Sequence, residues 1–87
     1  MIKVYTKDDC SFCITVKNYL KALQIQFEEI NVQENDSARA FLKEHGHRSV
    51  PQIYIDEHQY IVGGCDALLS MRKEEIDQLI GEIYVNQ

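Results

Sequence analysis

Cys10 and Cys13, separated by Ser11 and Phe12, are the residues of this chain best equipped for chemistry. A cysteine attacks as its thiolate, so the question is what lowers its pKa. At the N-terminal end of a helix, unpaired N–H groups and the positive end of the helix dipole favour the anion. Thiols so placed titrate at about 3.5–7.5, against about 8.5 when free. Cys13, one helical turn on, is close enough to Cys10 to close a disulfide with little backbone movement. Lys7 adds positive charge nearby, and Asp8 and Asp9 oppose it. Cys65 makes the count three, which is odd for a secreted disulfide framework. In a reducing compartment a close pair points to redox chemistry or to metal binding.

Metal binding has one structural form to weigh. Cys10, Cys13 and Cys65 with His45, His47 or His58 supply the atoms of a Cys3His zinc site. Small zinc sites draw their ligands from two close pairs, however, and no second Cys or His pair sits on a matching turn. His45 and His47 bracket a helix stop and read as solvated loop residues.

The elements that must position the cysteine pair follow from the apolar pattern. Ile2 to Thr6 alternates as a first strand, and Lys7-Asp8-Asp9 makes a polar turn. From Ser11 to about Gln24 no Gly or Pro intervenes, and Val16, Tyr19, Leu20 and Leu23 fall at helical spacing, with Asp9 as its cap or beside its start. Phe27 to Val32 forms a second strand, with Ile30 and Val32 on one face and Phe27 on the other. Asn35 or Asp36 caps a short helix that buries Ala38, Phe41 and Leu42 and stops at Gly46. Val50 to Ile55 is a third strand, Asp56-Glu57-His58 a turn, and Gln59 to Val62 a fourth strand, antiparallel to the third. Gly63-Gly64 ends it, and Asp66 opens a last helical region with Leu68, Leu69, Ile76, Leu79, Ile80 and Ile83 as its apolar positions, divided in two around Ser70 to Lys73. The order is βαβαββα. A CxxC between strand and helix of a βαβ unit is a far stronger redox signal than a CxxC alone. The expected architecture is α/β: one mixed four-stranded sheet with helices on both faces, the first two strands parallel.

Composition limits the alternatives. A chain of 87 residues makes one domain, 1–87, with 45% hydrophobic and 26% charged residues, which suits a soluble globular fold. Nine Lys and Arg against fourteen Asp and Glu give a net charge of −5, which opposes nucleic-acid binding. No basic amphipathic face, membrane-length apolar run or signal peptide is found, so the expected location is cytoplasmic, with no membrane partner.

Four motifs in order carry a resemblance: Val4-Tyr5-Thr6-Lys7, Cys10-Ser11-Phe12-Cys13, Ser49-Val50-Pro51-Gln52 and Gly63-Gly64-Cys65-Asp66. Over nearly its whole length the chain resembles a dithiol glutaredoxin. The resemblance implies a thioredoxin-like fold and glutathione as the reducing co-substrate, with no metal or organic cofactor required. It implies a cis Val50-Pro51 bond facing the cysteine pair, where the plain reading of Pro51 is an edge-strand proline. The Val50 backbone would then receive glutathione in the manner of an added strand. Cys65 and Asp66 would hold the γ-glutamyl end through their backbone amides and the Asp66 carboxylate; read plainly, Asp66 is an N-cap and Cys65 a small buried residue. Lys7 would attract a glutathione carboxylate, Phe12 stands where the family often has tyrosine, and Arg39 contributes to the glycyl carboxylate. Arg48 is a nearby charge.

The mechanism implied is attack by the Cys10 thiolate on a protein disulfide or glutathionylated thiol, through a mixed disulfide that Cys13 or glutathione resolves. The expected partners are glutathione and disulfide-containing or glutathionylated proteins, with ribonucleotide reductase, a sulfate-reducing enzyme or general deglutathionylation all compatible; the chain is expected to act as a monomer. Ser11 departs from the proline of many members. A non-proline residue there accompanies some members that hold a glutathione-ligated 2Fe-2S cluster between two subunits, so a cluster carrier is the alternative.

Overall fold

The computed structural model describes residues 1–85, without the side chains of residues 60 and 83–85; Ile83, expected on an apolar stripe, lies outside the described residues. The elements run β1 (Ile2–Thr6), α1 (Ser11–Ala22), β2 (Phe27–Asn31), α2 (Asp36–Glu44), β3 (Gln52–Ile55), β4 (His58–Ile61), α3 (Gly64–Leu69) and α4 (Lys73–Val85). The sheet order is β2-β1-β3-β4. β1 pairs parallel to β2 with Ile2 opposite Phe27, and antiparallel to β3 with Val4 opposite Ile53. β3 and β4 form the antiparallel hairpin. This is the four-stranded mixed α/β sheet expected from the sequence.

Alternation along β1 decides what covers each face. Ile2 and Val4 point to one side and join Val16 and Leu20 of α1, Ile53, Ile55, Leu68 of α3 and Ile76 of α4 in the larger core. Tyr5 points to the other and joins Tyr54, Ala38 and Leu42 of α2, with Ile30 and Val32 packed against them. Phe27 packs with the first cluster, so β2 divides its faces as its pattern requires. The Tyr19 hydroxyl donates to the Met71 carbonyl at 2.6 Å, which fastens α1 to the bend between α3 and α4.

Several boundaries differ from the sequence reading, each for a local reason. α1 stops at Ala22, because Leu23 is its C-cap and Gln24 turns left-handed at φ 58°. β2 ends at Asn31, although the Val32 N–H still donates to the Thr6 carbonyl at 2.9 Å. β3 begins at Gln52, after a cis Val50-Pro51 bond. The turn before β4 is tighter than expected: Asp56 takes a left-handed φ of 56°, which brings His58 into the strand, and Val62 falls outside it. α3 starts two residues before Asp66, since Gly63 (φ 111°) and Gly64 (φ 66°) make the turn; Asp66 is a first-turn acid rather than the N-cap. Leu69, expected in the core, ends α3 exposed. Asn35 does cap α2, its Oδ1 accepting from the Ala38 N–H at 2.9 Å.

Candidate active site

The cysteine pair sits where β1 passes into α1. Cys10 is the N-cap of α1, with extended φ −110° and ψ 104°, and its Sγ accepts the Cys13 N–H at 3.1 Å. Sulfur thus takes the place that a serine or aspartate oxygen occupies in an ordinary cap. Asp9 does not cap: its left-handed φ of 56° is incompatible with the extended backbone of a cap residue and serves instead to turn the chain into the helix. No acidic residue lies in the first turn of α1, so the dipole there meets no opposing charge from its own helix.

Cys10 and Cys13 are joined by a disulfide, with Cα atoms 5.2 Å apart. Both are buried, whereas Phe12 between them is 62% exposed. Phe12 is thus a surface residue and not part of the core.

The loop before the pair is anchored. The Asp8 N–H donates to Gln33 Oε1 at 2.7 Å, and Asn31 Nδ2 donates to Asp8 Oδ1 at 2.8 Å. Beneath it, the buried Thr6 hydroxyl donates to Glu29 Oε2 at 2.8 Å, and Lys17 Nζ donates to the same oxygen at 2.9 Å. The hydrogen bond from Lys17, with a smaller one from Thr6, holds the Glu29 carboxyl below its ordinary pKa against the opposing effect of burial. Strand, helix and neighbouring strand are therefore tied together, with Lys17 about two turns along α1 from Cys10.

Two cavities meet at Ser49 and Val50. The first, about 290 Å³, is lined by Lys7, Arg39, Leu42, His47 and Val50 among others. The second, about 310 Å³, is lined by Phe12, Val50, Pro51, Gly64, Cys65 and Asp66 among others. Lys7, Phe12, Arg39, Val50, Pro51, Cys65 and Asp66, the residues that the resemblance assigns to glutathione, each line one of them, with Val50 common to both. Cys10 lies in the chain between Lys7, which lines one, and Phe12, which lines the other. The second cavity depends on glycine: a Cβ at Gly64 would stand 3.1 Å from the Pro51 carbonyl oxygen.

Cys65 is buried, and burial, with the neighbouring Asp66 carboxylate, pushes its thiol pKa up, so it stays protonated and inert near neutrality. Arg39 is paired with Asp36 one turn earlier on α2.

His47 corrects the sequence reading. His47 is partly buried and its Nε2 lies 2.6 Å from the Tyr54 hydroxyl. Burial, helped by His45, lowers its pKa. His45 is exposed but not idle, with Nδ1 2.8 Å from the Phe41 carbonyl and its ring 4.2 Å from that of Phe41. His47 is thus not a solvated loop residue, while His45 is exposed as expected: the chain after α2 folds back over the Tyr5–Phe41–Tyr54 aromatic cluster. Local spacing held no sign of this, since the partners are brought together only by the sheet.

Among the described residues no group of three or more His, Cys, Asp or Glu side chains is placed to hold a metal ion. No helix among the described residues is long and apolar enough to cross a membrane.

Comparison with known proteins agrees with this fold and with the cysteine pair. The Glutaredoxin family model matches residues 2–60. Glutaredoxin 1 of Rickettsia conorii is 39% identical over 83 residues, covering 91% of this chain and 79% of that protein. Among solved structures, wheat glutaredoxin superposes with a TM-score of 0.72 at 28% identity, covering 93% of this chain and 79% of that one. The glutaredoxin-like NrdH-redoxin of Escherichia coli, solved to explain its thioredoxin-like activity profile, gives 0.67 at 27%, covering 90% and 92%. A buckwheat glutaredoxin in complex with glutathione gives 0.65 at 26%, covering 98% and 76%. A thioredoxin-like fold that carries a helix-capping Cys10 bonded to Cys13 is built for thiol–disulfide exchange, and the chain belongs to the glutaredoxin family.

Proposed function

We propose that the protein is a glutathione-dependent oxidoreductase that reduces protein disulfides and glutathione mixed disulfides in the cytoplasm, as a monomer and without a metal or organic cofactor. The observation that carries this reading is the pair of cavities meeting at Val50, with Lys7 and Arg39 along one and Asp66 along the other. Glutathione carries a carboxylate at its glycyl end and an ammonium and carboxylate at its γ-glutamyl end. Lys7 and Arg39 suit the first, and Asp66 with the backbone at Cys65 suits the second. The peptide middle would lie along Val50 and Pro51 as an added strand, with Phe12 beside it. The buckwheat relative crystallised with glutathione supports the same reading.

The chemistry follows from the cap. If the Cys13 N–H keeps the place it has in the disulfide form, 3.1 Å from Cys10 Sγ, it and the α1 dipole stabilise a Cys10 thiolate in the reduced protein. That thiolate attacks a substrate disulfide; one S–S bond forms as another breaks, and the leaving sulfur departs as a thiolate. For a protein disulfide, Cys13 gives up its proton and attacks Cys10, which releases the reduced substrate and restores the Cys10–Cys13 bond. For a glutathionylated protein, Cys10 retains the glutathione and a second glutathione removes it as glutathione disulfide.

The test is the source of electrons. Reduction of a glutathionylated peptide is measured with glutathione, glutathione reductase and NADPH, then with thioredoxin reductase and NADPH alone. Turnover in the first system is expected. Turnover only in the second would replace glutathione with a dedicated reductase, the behaviour that the thioredoxin-like profile of the NrdH-redoxin neighbour would suggest.

A further inference from the structure

The cavity beside Lys7 holds more positive charge than one glycyl carboxylate requires. Lys7, Arg39, Lys43 and Arg48, four of the nine Lys and Arg of the chain, line it together with His47, and no acidic residue does. Arg39 is already answered by Asp36. Among the described residues Lys7, Lys43 and Arg48 have no carboxylate partner. Lys43 projects from the last turn of α2, and Arg48 lies on the segment between α2 and β3. Lysines scattered over a surface would be mere solvation, but these surround a concavity that opens onto the Val50 backbone in a protein of net charge −5.

We propose that this cavity selects disulfide substrates whose reactive cysteine is followed on its C-terminal side by acidic residues, with Lys43 and Arg48 as the specificity-determining cations. The direction of the chain, and only that, rests on the glutathione reading above, which places the glycyl end of the tripeptide beside Lys7. A protein substrate laid along Val50 in the same direction sends the residues after its cysteine past Lys7 toward Lys43 and Arg48. The charge of the whole protein repels an acidic peptide, so any preference for one must arise from this local cluster.

The experiment is single-turnover reduction of symmetric disulfide-linked peptide dimers by the pre-reduced protein, with no glutathione present. The outcome therefore stands apart from whether glutathione is the physiological reductant. Four peptides are compared: two Glu after the cysteine, two Gln after it, two Lys after it, and two Glu before it. The rate constant is expected to be about three- to ten-fold higher for Glu after the cysteine than for Gln, as two exposed charge contacts provide, and lower again for Lys. The advantage should shrink as salt is raised. It should vanish in Lys43→Gln/Arg48→Gln and invert toward Lys in Lys43→Glu/Arg48→Glu, with retention of fold checked by circular dichroism. Equal rates for the first three peptides, a preference that survives both double variants, or an equal gain from Glu before the cysteine would overturn the proposal.

Discussion

The Cys13 amide points at the Cys10 sulfur from 3.1 Å, at the first turn of α1. A donor so placed favours the anion of the sulfur it faces, and the helix dipole acts in the same sense. In the reduced protein Cys10 should therefore be alkylated by iodoacetamide first, with an apparent pKa below the roughly 8.5 of a free thiol. Cys65, buried and raised in pKa, should remain unlabelled until the protein unfolds. Mass spectrometry of labelled peptides across a pH series decides it; initial labelling at Cys13 or Cys65 would show that the nucleophile has been misassigned.

Asp66 separates binding from chemistry. It lines the cavity beside Phe12 and Pro51 and stands in the first turn of α3, whereas Cys10 caps α1. A charge-assisted hydrogen bond contributes about 1.5–3 kcal/mol when well made, less at a wet groove. Asp66→Ala should raise KM for glutathione several-fold and leave the alkylation profile of Cys10 in place. Lys7→Ala should alter both, since its charge also favours the thiolate. A shifted profile with intact glutathione use in Asp66→Ala would contradict the proposed groove.

Gly64 and Gly46 form a controlled pair. Both are left-handed, at φ 66° and 79°, but a Cβ at Gly46 meets open space while one at Gly64 meets the Pro51 carbonyl oxygen at 3.1 Å. Gly46→Ala should cost about 1–2 kcal/mol of stability, the ordinary penalty of that conformation, and leave kinetics alone. Gly64→Ala should cost more and also raise KM for glutathione. Denaturant midpoints beside steady-state kinetics test this, and equal effects of the two variants would mean that the Pro51 wall does not shape the site.

His47 gives stability a pH dependence of known sign. Its folded pKa lies below the ordinary 6.5 because it is buried against Tyr54, with His45 adding to the effect. Between 6.5 and that lower value the unfolded chain binds more protons than the folded one, so stability is full above this window and falls as pH drops through it. His47→Gln should flatten the urea midpoint between pH 7 and 5 relative to the parent. An unchanged slope would show that another group governs it.

The parts of this site that were legible in the sequence are those made by neighbours in the chain. Cys10 and Cys13 share one helical turn, Gly63-Gly64 marks a left-handed corner, and alternation along β1 separates the two cores. The parts that were not legible are made by the sheet. The pairing of His47 with Tyr54 crosses from the α2 connection to β3, and the gathering of Lys43 and Arg48 beside Lys7 needs β1 and α2 brought together. Of the two places open to Asp9, the cap or beside the helix start, it takes the second for a subtler reason. Asp9 has the better capping side chain, but its backbone is used to make the turn, which leaves the sulfur of Cys10 to receive the helix's N–H group.

The most direct test of the central claim is the Cys13→Ser variant acting on a glutathionylated peptide with glutathione as the sole reductant. If Cys10 alone takes up glutathione from the substrate, this variant should retain most of the deglutathionylation rate and lose reduction of protein disulfides, while Cys10→Ser loses both. Equal loss of both activities in the two variants, each shown to be folded, would contradict the account.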